Sequence, residues 1–521
     1  MDKNLFLAVV LSVGVYALWF GVIEKKIAPP AKPAAEAAAS PEAAAQGSAQ
    51  PEEEAPSAAA PEEASALATP AQARRGRVVL SKPVKFGDAL IRVASAGAGL
   101  VSYQYEDRTG PIELAENSPR LPGFLSTWPN TEFYPAKSDP LSYSARLPDG
   151  AEITKTFILG TKKNLPELDI TIYNPTGRAV ESAPWTLSVG PGLNTVQDEQ
   201  KENQKVWRAL GLLEPKPGLN GKLEVFKKPQ SSSEEFRWVG VDNRYFLAAV
   251  IPPAGCFSSV ASNLPPEVTL NAPAAILAPH SSKTWKIPFY IGPKGMIWLS
   301  HFHLGLERSI SFGFFSTLGR AMMRALYWLN RFTGNWGWSI IVLTILIQMV
   351  LMPLSYKSYK SMTAMKKLQP EITRLQQIYA KDAKKLNEQT MEVYKKHGVH
   401  PASGCLPMLV QFPIFFALYY ALRGAWELHG AGWIFWITDL SAKDPYYVLP
   451  LVMGAVMFFQ NKLNPMSSDP MQAKMMTWMP IIFTFMFLYF PSGLVLYYLT
   501  SNLCTLITQA AFKKRLEART A

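Results

Sequence analysis

The sequence predicts an α-helical membrane protein with six transmembrane helices, an N-terminal anchor plus a five-helix core, and a large all-β sandwich domain between anchor and core. Three observations predict it. Only 18% of the 521 residues are charged against 48% hydrophobic, which is low for a chain solvated by water alone. Uncharged apolar runs crowd residues 336 to 512. Residues 75 to 295 instead alternate short strands with turn residues, as a soluble domain does.

The first element is the uncharged stretch Leu5 to Ile23, about 28 Å long as a helix against a bilayer core of about 30 Å. It exceeds the roughly 7 to 15 residues of a signal-peptide core, and Glu24, Lys25 and Lys26 stand where a small-residue cleavage site would be. An uncleaved anchor over 1–27 is expected. Residues 28–74 are almost wholly Ala, Pro, Glu, Ser and Gln, too polar to repay the entropy of ordering, and read as a tether.

A sandwich domain is expected over 75–298, with short strands such as Val78-Val79-Leu80, Ile153 to Leu159 and Leu168 to Tyr173. Over 299–334 the segment Phe314 to Trp328 sets Arg320 and Arg324 four apart among apolar residues, as in a helix lying along a membrane surface.

The core over 335–512 then needs five spans. Trp336 to Leu354, Cys405 to Leu422 and Tyr446 to Phe459 supply three. The uncharged run between Lys474 and Lys513 would be about 57 Å as one helix, too long for one crossing. Pro491-Ser492-Gly493 breaks it into Met475 to Phe490 and Leu494 to Phe512. The third and fourth spans, about 21 and 24 Å, fall short of the bilayer and should thin it.

Charge sets orientation. The loop 355–404 carries ten Lys or Arg against four Asp or Glu, which places it in the cytoplasm. Counting crossings puts the β domain and the loop Arg423 to Pro445 outside, and the N-terminus and the short basic tail 513–521 inside. The cytoplasmic loop reads as two amphipathic helices, Lys357 to Ala380 and Ala383 to His397, punctuated by Pro370. Its methionines Met362, Met365 and Met391 are either an adaptable binding face or the filler of a hairpin.

The net charge of +12 sits largely beside the apolar runs, so nucleic acid is not an expected partner. Cys256, Cys405 and Cys504 lie in separate segments and offer neither a disulfide framework nor a metal-ligand spacing. The six histidines all fall outside the expected spans, and no P-loop pattern occurs. Neither a cofactor nor enzymatic chemistry is expected. What the spans do hold is uncharged polarity. Thr344 and Gln348 lie on the first, Gln411 on the second, Thr484 on the fourth, and Thr500, Ser501, Asn502, Thr505 and Gln509 descend the fifth. Two readings stand: hydrogen bonds between helices, or a wet cavity open to the cytoplasm.

Several longer motifs carry a resemblance. Asp439-Leu440-Ser441-Ala442-Lys443-Asp444-Pro445-Tyr446-Tyr447-Val448-Leu449-Pro450, Asp469-Pro470-Met471-Gln472 and Phe490-Pro491-Ser492-Gly493-Leu494-Val495-Leu496-Tyr497-Tyr498 are three of them. With Gly404-Cys405-Leu406-Pro407 and Gln411-Phe412-Pro413-Ile414-Phe415, they resemble the YidC membrane protein insertase family in its Gram-negative form. The resemblance implies a periplasmic β-supersandwich and a multi-pass protein of the inner membrane. It implies an insertase and chaperone for inner-membrane proteins, working alone or with the Sec translocon. Its partners would be nascent membrane proteins, ribosome–nascent chain complexes and the lipid bilayer. It further implies a hydrophilic groove open to cytoplasm and lipid, carried over onto Thr344, Gln348, Gln411, Thr484 and Tyr498 and extended by Ser501 and Asn502. Members of the family usually have arginine where this chain has Gln348, which supplies hydrogen bonds but no Coulombic attraction. A secondary transporter or channel, or a tethered periplasmic binding protein, are the competing readings. A transporter predicts inverted repeats or charges within the spans, and neither is apparent.

Overall fold

A computed structural model describes residues 79–115, 123–137, 139–161, 163–215, 221–380, 382–399, 406–463 and 470–517. The expected anchor (1–27), the tether (28–74), Val78, His400, Cys405 and most of the loop 464–470 lie outside the described residues.

The soluble half is a sandwich. Its larger sheet has nine strands in the order Leu223–Phe226, Arg208–Leu213, Phe236–Asp242, Phe246–Val250, Ser282–Pro293, Glu167–Tyr173, Glu152–Ile158, Ser142–Arg146 and Tyr134–Pro135. A five-stranded sheet runs Gln230–Ser232, Ser259–Asn263, Glu267–Ala272, Trp185–Val189, Ser126–Thr127, and a four-stranded one is built from residues 84–113. Period-2 alternation explains the facing: Ile153 and Phe157 on one strand and Leu168, Ile170 and Ile172 on its neighbour are buried in one shared core. Of the strand expected at Val78 to Leu80, the described residues contribute a bridge, Leu80 with Ala94.

One inward position is a lysine. Lys155 is fully buried, and its Nζ donates to the carbonyls of Gly97, Ala98 and Leu125 at 2.9, 2.9 and 2.8 Å. Burial pulls its pKa well below the usual lysine range. The three acceptors oppose that pull, because only the ammonium has three N–H to give.

Among the described residues the α-helices, in chain order, are α1 (Gln200–Val206), α2 (Met296–His301), α3 (Ser316–Thr333), α4 (Trp336–Ile378), α5 (Ala383–Lys396), α6 (Leu406–Arg423), α7 (Val448–Leu463), α8 (Pro470–Phe487) and α9 (Ser492–Glu517). The amphipathic expectation for α3 corresponds to one buried face, Gly319, Met322, Met323, Leu326 and Leu329, with Trp328 and Phe332 exposed. Asn335 starts α4, its side chain accepting from the amides of Gly337 and Trp338.

Two expectations change. The first span and the first arm of the hairpin expected in the cytoplasm are one 43-residue helix, α4, which continues through Pro353 and Pro370. Each proline removes one backbone hydrogen bond and does not end the helix here. The third and fourth spans are also longer than the uncharged runs suggested: α7 has 16 residues and α8 has 18, about 24 and 27 Å. The added residues include Gln460, Asn461 and Lys462 on α7 and Lys474 on α8, so the uncharged apolar length of each still falls short of a bilayer of about 30 Å. Among the described residues, α4 is the one helix long and apolar enough to cross a membrane by length and composition, with shorter apolar helices over Leu409–Arg423, Val448–Lys462 and Thr477–Phe487. Val350, Ile482, Phe485 and Ile507 are exposed on this half, as lipid-facing residues are.

Candidate functional site

The break between α8 and α9 is held by the loop between α6 and α7. Ser492 N and Oγ both donate to the Ala442 carbonyl, at 2.7 and 2.8 Å, and Gly493 N donates to the Leu440 carbonyl at 2.9 Å. Lys443 and Pro491 form a β-bridge beside them. Asp444, almost wholly buried, organises the loop: its carboxylate accepts from Trp436 Nε1 (3.0 Å) and from the amides of Tyr446 (3.0 Å) and Leu449 (2.7 Å). These bonds keep Tyr446 and Tyr447 out of the helix that the sequence starts at Tyr446.

Fixing that turn fixes the register of α9, and α9 carries a polar seam against α4 and α6. Gln348 Nε2 on α4 donates to Ser501 Oγ on α9, and Gln411 Nε2 on α6 donates to Tyr497 OH. Thr344 is buried and returns its hydroxyl to the Ile340 carbonyl of its own helix at 2.6 Å. Thr500 does the same to Leu496 at 2.8 Å. Two polar atoms in α9, Asn502 Nδ2 and Gln509 Oε1, are buried with no partner, which in an apolar surrounding is costly unless water or a ligand group meets them. The uncharged spans give the seam hydrogen-bonding capacity and no fixed charge.

Of the residues expected to form one site, Gln348, Ser501 and Gln411 therefore meet cross-helix partners. Tyr498 lies among rings: Phe487 at 5.0 Å, Phe415 at 6.0 Å and Phe483 at 6.2 Å. Thr484 faces a different seam, where a Cβ on Gly454 of α7 would sit 2.1 Å from its Oγ1. Its hydroxyl donates to the Pro480 carbonyl at 2.7 Å. Met362 and Met365 are half-buried on the long arm of α4, and Met391 on α5 is exposed. Tyr356 and Tyr359 at the root of that arm pack on Phe512 of α9.

Sequence reasoning missed Tyr497, since two adjacent tyrosines give no sign of which one points inward. It also missed the junction with the β domain. Trp426, in the short turn Trp426–Leu428, packs on Phe246 (4.9 Å), Tyr245 (5.8 Å) and Tyr105 (6.3 Å) of the sandwich. Glu427 accepts from the Tyr327 hydroxyl on α3 and from Met296 N at 3.2 Å. Burial raises the Glu427 carboxyl above the usual carboxylate range, with the Tyr327 hydrogen bond opposing. Burial likewise raises Tyr327, helped by the neighbouring Glu427 charge.

Two family models match the chain: the 60Kd inner membrane protein over residues 328–519 and the YidC periplasmic domain over 127–325. Membrane protein insertase YidC of Endomicrobium trichonymphae is 37% identical over 443 residues, 81% of this chain and 83% of that protein. The insertase of Geotalea daltonii is 34% identical over 488 residues, 87% of this chain and 89% of the relative. A crystal structure described as active YidC insertase with the first transmembrane domain resolved covers 84% of this chain and 92% of that one. Its TM-score of 0.40 at 19% identity is too loose to carry any point of geometry.

Proposed function

The chain belongs to the YidC family of membrane protein insertases, and from that premise we propose that its working surface is the polar seam of α4, α6 and α9, opened to the cytoplasm as a hydrophilic groove. The observation that carries this reading is the pairing of Gln348 with Ser501 and Gln411 with Tyr497 within otherwise apolar helices, beside the unpartnered Asn502 amide. A short polar segment of a client enters from the cytoplasm and exchanges these hydrogen bonds for bonds to its own backbone. The client's apolar helix slides along the lipid-facing sides of the core.

The energetics suit a carrier without fuel. A charge at the bilayer centre costs about 2.5 to 3.5 kcal/mol on the translocon scale, so a hydrated half-path lowers the step that lipid opposes. Burial of the client's apolar helix, at about 25 cal/mol per Å2, and the membrane potential supply the drive. In this arrangement the protein is a multi-pass component of the inner membrane, with 28–335 periplasmic and the N-terminus, hairpin 355–404 and tail cytoplasmic. The hairpin, through Met362, Met365 and Met391, meets incoming chains delivered by ribosomes or handed over by the Sec translocon. Photocrosslinkers at positions 348, 411 and 498 test the reading: stalled nascent chains should be captured at all three. Capture confined to lipid would count against it.

A further inference from the structure

We infer that His429 is a proton-dependent latch that fastens the β domain to the loop between α6 and α7. Its ring is wedged into the junction, stacked on Trp426 at 4.9 Å and tilted against Tyr245 at 5.7 Å. Its two nitrogens face carboxylates from opposite sides of that junction. Nε2 lies 3.6 Å from Asp107 Oδ2 on the sandwich, and Nδ1 lies 3.6 Å from Asp439 Oδ2 on the loop. The three side chains are only 10%, 7% and 22% exposed.

At 3.6 Å both carboxylates are within ion-pair reach of the ring but beyond hydrogen-bond distance, and Nε2 also lies 3.4 Å from Thr109 Oγ1, so it is the charge of the ring that sets the attraction across the junction. A neutral imidazole has one N–H and one lone pair, so it can serve one carboxylate only by aiming its lone pair at the other. The imidazolium offers an N–H to each. Both carboxylates are held in place. Asp439 Oδ1 accepts from Ser441 N (2.7 Å) and Ala442 N (3.3 Å), and Asp107 Oδ2 from the amide (3.2 Å) and hydroxyl (2.9 Å) of Thr109. The Gly430 backbone also lies close against the Thr109 side chain: a Cβ on Gly430, at φ +61°, would sit 2.9 Å from Thr109 Cγ2.

The other charges nearby do not take over the role. Arg108 stands beside Asp107 in the same turn, and Asp88 acts on Tyr105 behind it. Arg244, next to Tyr245, pairs with Glu199 and donates to the Arg423 carbonyl at 2.7 Å, and the Arg423 side chain lies on Tyr419. The arginines keep their charge at every relevant pH, and Glu427 titrates with its own partners on α3. The imidazole is the group here that gains a positive charge on taking up a proton, between two carboxylates placed to attract it. Acid therefore closes the latch and rising pH loosens it. Which compartment's pH is sensed rests on the orientation proposed above; the latch itself does not.

Amide hydrogen exchange on the full chain in lipid nanodiscs, parent against His429→Gln, tests this at about pH 5.5 and about pH 8. Taking each difference at a single pH cancels the intrinsic exchange rate and the titration of Glu427, which both proteins share. Peptides covering 107–113 and 425–431 are expected to exchange about tenfold faster in the variant at the acid pH and equally at the alkaline one, a coupling near 1.4 kcal/mol. A difference of the same size at both pH values, which lost ring packing alone would give, overturns the proposal, as does no difference at either. Asp107→Asn keeps the ring stacked and is the second variant: acid-confined loss of protection supports the latch even if His429→Gln misfolds, and unchanged protection overturns it.

Discussion

The amide of Gln348 donates to the hydroxyl of Ser501 across 153 residues of sequence, tying the first core helix to the last. Its neighbours Met349 and Val350 are exposed on the outside of the same helix. A polar pair facing inward and an apolar surface facing outward, one residue apart, is the arrangement a client path along α4 needs. An interhelical hydrogen bond in a membrane is worth about 0.6 kcal/mol on average, so Gln348→Leu should leave the protein folded. The effect should fall on insertion of a client with an acidic tail, which slows severalfold in Gln348→Leu and speeds up in Gln348→Arg, where a fixed positive charge is added. Equal rates for the three proteins in reconstituted vesicles would remove Gln348 from the path.

Thr484 can be assigned by a double-mutant cycle. Gly454→Ala forces a methyl group against the Thr484 hydroxyl and should cost about 1 to 3 kcal/mol. Thr484→Ala removes the obstructing atoms, so the double variant should regain most of that loss, with a coupling of about 1 kcal/mol or more. Thermal unfolding of the purified protein measures this. If Thr484→Ala alone instead slows insertion while thermal stability holds, Thr484 belongs to the path.

The loop that clamps the α8–α9 turn should rank its own residues. Ser492→Ala loses one hydroxyl bond to the Ala442 carbonyl and should cost about 1 kcal/mol. Asp444→Ala strands three donors, Trp436 Nε1 and two amides, and should cost about 2 to 4 kcal/mol. Unfolding midpoints in the reverse order would mean that the loop does not hold the turn.

Glu427 should give the junction a pH slope. Its carboxyl lies above the ordinary 4.5 because burial penalises the charged form. The folded chain then holds the proton more tightly than the unfolded one, so stability is greatest below 4.5 and falls as pH rises through the raised value. Glu427→Gln keeps an acceptor for Tyr327 and should flatten that part of the slope while matching or exceeding the parent at neutral pH. A slope unchanged in the variant would assign it to another group.

How much of this was legible depended on range. The break at Pro491-Ser492-Gly493 could be read because an uncharged run of that length fits no single crossing. The strands around Ile153 and Ile170 could be read because burial on one face imposes period-2 alternation. The join of the first span to the first hairpin arm was not legible: the expected span stops at Leu354 and the expected arm starts at Lys357, yet α4 runs unbroken through both, with Pro353 and Pro370 inside it. The pairing of Gln411 with Tyr497 rather than Tyr498 depends on the rotation of α9, which the loop bonds at Ser492 and Gly493 fix from 50 residues away. The junction was invisible for the same reason, since Glu427 meets Tyr327 across 100 residues and His429 meets Thr109 across 320. The seam's polarity was in the sequence, but its pairing was not.

Water in the seam is the claim on which the insertion mechanism turns, and labelling tests it most directly. In a chain whose native cysteines are replaced by serine, single cysteines at Gln348, Gln411, Ser501 and the lipid-facing Val350 are exposed to a membrane-impermeant maleimide from the cytoplasmic side. The first three should react in client-free vesicles while Val350→Cys stays inert. All four equally unreactive would mean the helices seal the seam dry, and would contradict a hydrated path for clients.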